Sequence, residues 1–167
     1  MGVGAKRLME NTMTETTVLM GIKKKIALVA HDHKKYDLLD WAKYNRGNLA
    51  LHELFATGTT GTMLEKELDL PINKLKSGPL GGDQQVGARI VEGEIDVLIF
   101  FWDPLEAQPH DPDVKALLRL AMVYNIPVAC DRASADFMFS SPLMAEEYER
   151  IMPDYDEYRS RRIIPPQ

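Results

Sequence analysis

The stretch Ile95-Asp96-Val97-Leu98-Ile99-Phe100-Phe101 runs without a break into the turn Trp102-Asp103-Pro104. An apolar run with no polar alternation reads as a strand covered on both faces, the position of a central strand in a parallel sheet. The next apolar residues, Val114, Leu117, Leu118, Ala121 and Met122, recur at i, i+3, i+4, i+7 and i+8. That is the period of an amphipathic helix, and Asp111 as N-cap with Pro112 in the first turn supplies its start. A buried strand followed by a half-buried helix is the repeating unit of α/β folds.

The alternation extends outward in both directions. Upstream, Ile26-Ala27-Leu28-Val29-Ala30 reads as a second buried strand, followed by a polar turn and a helix with Leu38, Leu39 and Ala42 on its inner face. Residues 49–56 read as a strand ending in Thr57-Gly58-Thr59-Thr60-Gly61, and Met63, Leu64 and Leu68 carry a helix to Pro71, which stops it. A short strand is expected over residues 72–76 and a helix over 83–92. Between them Gly78-Pro79-Leu80-Gly81-Gly82 has too much glycine and proline for an element interior, so it is a shaped loop. Downstream, residues 126–129 read as a last strand and 135–139 as the start of a further helix, before a charged tail. The expectation is a three-layer, doubly wound α/β fold around a central, mainly parallel, five-stranded sheet. One domain covers residues 23–163, with 1–22 as a flexible leader and 164–167 as a flexible end.

Composition narrows the function. The 20 basic and 25 acidic side chains of the 167 residues give a formal charge of −5, which argues against a sequence-independent grip on nucleic acid. No apolar stretch approaches the roughly 20 residues of a spanning helix, so no membrane partner is expected. Cys130, the single cysteine, cannot close an intramolecular disulfide, which points to a reducing, cytoplasmic setting. In the leader, Val18-Leu19-Met20 is too short for a signal-peptide core, and Met1-Gly2 has Lys6 where myristoylation wants serine or threonine.

Ligands of parallel sheets bind beyond the carboxyl ends of the strands, and four of those turns carry unusual chemistry. They are His31-Asp32-His33-Lys34-Lys35, Thr57-Gly58-Thr59-Thr60-Gly61, Ser77-Gly78-Pro79-Leu80-Gly81-Gly82-Asp83, and Trp102-Asp103-Pro104 running on to His110-Asp111-Pro112-Asp113. The threonine-glycine turn closes a strand and opens a helix, so its amides and hydroxyls can converge on an oxyanion; the bland alternative is a tight turn with threonine caps. A second glycine-rich turn favours phosphate. Neither matches a nucleotide-binding fingerprint, so a small phosphorylated metabolite is preferred over a nucleotide. Lys34 or Lys35, otherwise solvated, is a candidate to neutralise it.

Asp83 has two readings. As an N-cap its carboxylate accepts amide hydrogen bonds, which lowers its pKa; as a base that takes a proton from carbon it gains from burial, which raises it. Three of the four histidines, His31, His33 and His110, fall in the same predicted face. His31, His33, Asp103, His110 and Asp113 also offer a nitrogen and oxygen set for a metal, but H-x-H with scattered carboxylates is a weak metal signal and no metal is expected. No G-x-S-x-G elbow occurs and Cys130 lies at a strand end, so acid-base chemistry is favoured over a covalent nucleophile.

These turns, in this order, closely resemble those of the methylglyoxal synthase family. The resemblance rests on Ala27-Leu28-Val29-Ala30-His31-Asp32-His33, Ala56 to Gly61, Ser77 to Gly87, and Phe101-Trp102-Asp103-Pro104 through His110-Asp111-Pro112-Asp113, and spans residues 24–162. It implies that family's fold and a lyase that converts dihydroxyacetone phosphate to methylglyoxal and inorganic phosphate through an enediolate, with no metal or organic cofactor. By the family pattern Asp83 is the base, and Lys35, Thr57, Gly58, Thr59, Thr60, Ser77 and Gly78 hold the phosphate. His31 and His110 contact the reacting oxygens, while Asp103 and Asp113 are supporting carboxylates. The resemblance further implies a homohexamer in which Arg162, near Arg159 and Arg161, reaches the phosphate of a neighbouring subunit; the phosphate cradle itself leads to the expectation that free phosphate, the product, competes with substrate as an inhibitor. Two rivals remain: an effector-binding module of the same fold, which would not need Asp83, His110 and Asp113 together, and a metal-dependent phosphohydrolase.

Overall fold

A computed structural model describes residues 16–156. In chain order the elements are β1 (Thr17–Met20), β2 (Lys25–Ala30), α1 (Lys35–Tyr44), α2 (Arg46–Leu49), β3 (Glu53–Thr57), α3 (Gly58–Leu68), β4 (Ile72–Leu75), α4 (Gly82–Val91), β5 (Val97–Phe101), α5 (Asp111–Val123), β6 (Val128–Ala129), α6 (Arg132–Phe139) and β7 (Tyr148–Ile151). Five strands form one parallel sheet in the order β4-β3-β2-β5-β6, with β2 at its centre between β3 and β5. The expected doubly wound, three-layer architecture is therefore present.

Strand periodicity divides the core between the two faces. Ile26, Leu28, Val97, Ile99 and Phe101 point into one cluster with Leu38 and Trp41 of α1, Leu64 and Leu68 of α3 and Phe139 of α6. Ala27, Val29, Leu98 and Phe100 point the other way, against Val86 and Ile90 of α4 and Val114, Leu117 and Ala121 of α5. Each face is closed by helices, and this is why β5 carries five buried residues in succession.

Several element limits differ from the sequence reading, each for a local reason. Leu49 belongs to α2, and β3 begins only at Glu53; a short apolar run does not by itself separate helix from strand. β6 shrinks to two residues because Pro127 accepts from Leu98 N–H but has no N–H of its own to extend the ladder. α6 begins at Arg132, capped by Asp131, whose carboxylate accepts from Ser134 N–H at 2.8 Å. Asp111 is the first residue of α5, with His110 at the N-cap position. Part of the stretch read as a leader is ordered: β1 pairs antiparallel with β7, Thr17 opposite Ile151 and Met20 opposite Tyr148. The rest of that leader and the end at 164–167 lie outside the described residues. Among the described residues no helix is long and apolar enough to cross a membrane.

Candidate active site

The carboxyl ends of β2, β3 and β4 and the segment after β5 enclose a pocket of about 330 Å³. Its wall includes His31, Lys35, Thr57, Gly58, Thr59, Thr60, Ser77, Gly78, Asp83 and His110, ten of the residues singled out from the sequence. They come from separate turns and meet because the parallel register puts all those strand ends on one edge of the sheet.

Two of these turns approach each other more closely than side chains would allow. Gly58 opens α3 at φ +47°, and a Cβ there would lie 2.7 Å from Cα of Ser77. Gly78 plays the same part for the acid-base groups: its Cβ would lie 2.7 Å from Nε2 of His110 and 3.4 Å from Oδ1 of Asp83. Thr57 and Thr60 are buried, the former at the N-cap position of α3. Lys35 Nζ donates to Thr59 Oγ1 at 2.6 Å and to Asp32 Oδ1 at 2.5 Å, so the cation is held at the rim of the turn. A lysine, threonine hydroxyls and a helix N-terminus facing one space suit a phosphate dianion.

Asp83 lies opposite, in the first turn of α4 and 1% exposed. It is not the N-cap. That position is Gly81, in the left-handed conformation, and neither carboxylate oxygen of Asp83 has a hydrogen-bond partner among the described residues. Burial holds its pKa above the ordinary carboxylate value; His110 works against this and Asp113 with it. The N-cap reading is thereby removed, and the raised pKa is the direction that the base reading requires. Nε2 of His110 is 3.5 Å from Asp83 Oδ2, and Nδ1 of the same ring is buried without a partner.

His31 is fixed by its backbone neighbour. Its Nδ1 accepts from Asp103 N–H at 3.1 Å, so in the neutral ring the proton sits on Nε2, which is buried and has no partner among the described residues. Burial first, then nearby His110, lowers its pKa. The ring meets Phe100 edge-on at 5.1 Å and His110 at 5.7 Å between centroids. A neutral imidazole N–H aimed into a pocket is an electrophilic donor.

Asp103 and Asp113 do not line the pocket. Asp103 is buried and accepts from Leu105 N–H at 3.0 Å, shaping the turn whose amide holds His31. Asp113 accepts from Gln84 Nε2 at 2.9 Å and acts on Asp83 through its charge. Among the described residues the five-residue metal grouping is not assembled: His33 comes together with Glu106 at 3.0 Å and Asp103 at 3.6 Å, and does not line the pocket. Cys130 is half-buried, its thiol pKa raised by burial. Arg162, Arg159 and Arg161 lie outside the described residues. Sequence reasoning missed Gln108 and Asp32, which also line the pocket; each sits inside a quoted turn, but nothing in residue type or spacing marked it.

A family model for the MGS-like domain matches residues 37–130, which carry most of α1, the elements from α2 to β6, and the pocket residues from Thr57 to His110. Among curated relatives, the methylglyoxal synthase of Cellvibrio japonicus is 62% identical over 139 residues, 83% of this chain and 90% of that protein. The methylglyoxal synthase of Sodalis glossinidius is 57% identical over 151 residues, 90% of this chain and 99% of that protein. A crystal structure of methylglyoxal synthase from Elizabethkingia anophelis superposes with a TM-score of 0.85 at 53% identity, covering 90% of this chain and 99% of that one. The chain belongs to the methylglyoxal synthase family.

Proposed function

We propose that this chain eliminates phosphate from dihydroxyacetone phosphate to give methylglyoxal, with Asp83 as the base. The observation that carries the reading is a buried carboxylate with no hydrogen-bond partner among the described residues, lining the same small pocket as a phosphate-shaped turn. Burying such a group costs stability, and the cost has a chemical return: desolvation raises the proton affinity of the carboxylate.

Asp83 takes a proton from the hydroxymethyl carbon, and the electron pair forms an enediolate across the former carbonyl. Nε2–H of His31 donates to the developing oxyanion, a contribution of about 10²–10³ in rate for one well-aimed donor. His110, beside the base, contacts the other reacting oxygen. The enediolate electrons then expel phosphate from the adjacent carbon, breaking its carbon-oxygen bond. The enolate that remains, its hydroxyl proton having left with phosphate, takes a proton on the carbon that carried the phosphate and becomes methylglyoxal. Elimination requires the breaking bond to stand out of the enediolate plane, so the Lys35, Thr57 to Thr60, Ser77 and Gly78 cradle has to set an angle as well as an affinity. An in-plane phosphate in a bound substrate analogue would contradict this.

The same reading takes inorganic phosphate to be product and competitive inhibitor, the assembly to be a homohexamer with Arg162 serving a neighbouring subunit's phosphate, and the enzyme to be cytoplasmic. Purified chain should release methylglyoxal and phosphate one for one from dihydroxyacetone phosphate with chelator present, and added phosphate should raise KM. A chain that binds phosphate but releases no methylglyoxal would favour an effector-binding module, and activity abolished by chelator a metal-dependent hydrolase.

A further inference from the structure

The phosphate turn at Ser77 and Gly78 hangs on the last residue of an edge segment. β4 pairs only with β3, and the ladder ends at Thr57 opposite Leu75. At Lys76 the partner strand has already turned into α3, so the Lys76 peptide has no sheet neighbour to bond to on that side. Its carbonyl accepts from Gly58 N–H at 3.2 Å, tying the two phosphate turns together. Its N–H donates to Oε1 of Gln85 at 2.8 Å.

Gln85 lies on α4, half a turn beyond Asp83, and is exposed. The bond from Lys76 to Gln85 therefore closes a loop nine residues along the chain that holds Ser77, Gly78 and Asp83. Inside it, the Ser77 carbonyl accepts from Leu80 N–H at 3.0 Å and from Gly82 N–H at 2.9 Å, and Gly82 packs so tightly on Lys76 that a Cβ would lie 2.0 Å from its carbonyl oxygen. The helix that carries the base and the turn that carries the phosphate thus meet at the backbone of one residue, Lys76, and among the described residues the only side chain bonded to that backbone is Gln85.

We infer that Gln85 is a positioning residue: its amide oxygen clamps the Lys76 peptide and so fixes the phosphate turn relative to Asp83. It touches neither substrate nor pocket. Because the group it serves is an N–H, the clamp needs an acceptor and makes no use of the glutamine NH₂. Because the bond is exposed, water replaces it in the folded protein when it is lost, so global stability is not what it protects. What it protects is the angle and distance between phosphate and base, on which elimination depends.

This inference rests on the lyase reaction proposed above, and the test separates the two. Gln85→Met keeps length and removes the acceptor; Gln85→Glu keeps the acceptor. The account expects Gln85→Met to exchange the Lys76 amide hydrogen faster than wild type, to lose about tenfold in kcat/KM with part of the loss in kcat, and to keep its thermal midpoint. Gln85→Glu should restore slow exchange and bring kcat to within about threefold of wild type at an ionic strength near 0.15 M, where its added charge is screened. Equal kcat in Gln85→Met and wild type, or equal loss in both variants, would overturn the inference, as would unchanged exchange at Lys76. A wild-type protein that makes no methylglyoxal would overturn the reaction instead, and the exchange data would still decide whether the clamp exists.

Discussion

Asp83 and Asp96 are two buried aspartates at opposite ends of the same sheet, and they are treated in opposite ways. Asp96, just before β5, accepts from Lys25 N–H at 2.9 Å and lies near two buried cations, Lys24 and Arg150. Lys24 in turn donates to the carbonyls of Gly21 and Glu146. Charge at that end is largely answered from within the protein, although the Nε and Nη1 of Arg150 stay unpaired. At the carboxyl end the Asp83 carboxylate has no hydrogen bond among the described residues, and His31 Nε2 and His110 Nδ1 share that condition. The contrast separates burial that serves the fold from burial that serves a ligand: the first is satisfied on folding, the second waits for a molecule with matching groups.

The largest effect that can break this comparison is at Asp83. Asp83→Asn should lower kcat by about 10³-fold, within the range for loss of a general base, while its thermal midpoint at neutral pH rises because a desolvated anion has been removed. A variant that loses stability along with activity would mean that Asp83 serves the fold as Asp96 does. Next in size is Gly78→Ala. The new Cβ overlaps His110 Nε2, and displacing that ring by a few tenths of an ångström should cost about 10² in kcat with little change in the far-ultraviolet circular dichroism.

The opposite outcome is expected at the other end of the sheet. Asp96→Ala leaves Lys25 N–H without its acceptor and removes the negative charge near Lys24 and Arg150, and should destabilise the fold by about 1–3 kcal/mol, read from urea unfolding, with kcat per folded molecule within about twofold of wild type. The smallest effects are in pH dependence. The folded pKa of Asp83 is raised, so the native state holds its proton more tightly than the unfolded chain, and stability falls as pH rises from the ordinary carboxylate value to the raised one. Asp83→Asn should remove that slope. The folded pKa of His31 is lowered from 6.5, so the unfolded chain takes up a proton that the native state refuses, and stability falls as pH drops through about that value. Midpoints measured across pH 4 to 8 (about that range) for wild type, Asp83→Asn and His31→Gln would resolve the two slopes.

Much of this was legible in the sequence because it rests on short-range patterns. Unbroken apolar strands such as residues 97–101 fix a sheet covered on both faces, and the rule that ligands sit beyond strand ends then selects the four turns without further information. What stayed open depends on contacts between distant residues. Whether Asp83 caps its helix or sits free turns on one backbone conformation, the left-handed Gly81 that takes the cap position. The tautomer of His31 is set by an amide 72 residues away. Thr17–Met20 reads as leader because its partner, Tyr148–Ile151, lies at the far end of the chain. Gln85 carries no signal beyond its place in a glycine-rich motif, since an exposed glutamine on a helix is ordinary until its acceptor is seen to hold a turn.

The claim that Asp83 removes a proton from carbon is tested most directly with dihydroxyacetone phosphate labelled with deuterium at the hydroxymethyl carbon. Wild type should release the label to water as methylglyoxal forms, and Asp83→Asn should release none on the same timescale while binding inorganic phosphate with wild-type affinity by calorimetry. Release of label by Asp83→Asn at a rate near that of wild type would contradict the account and assign the base to another group.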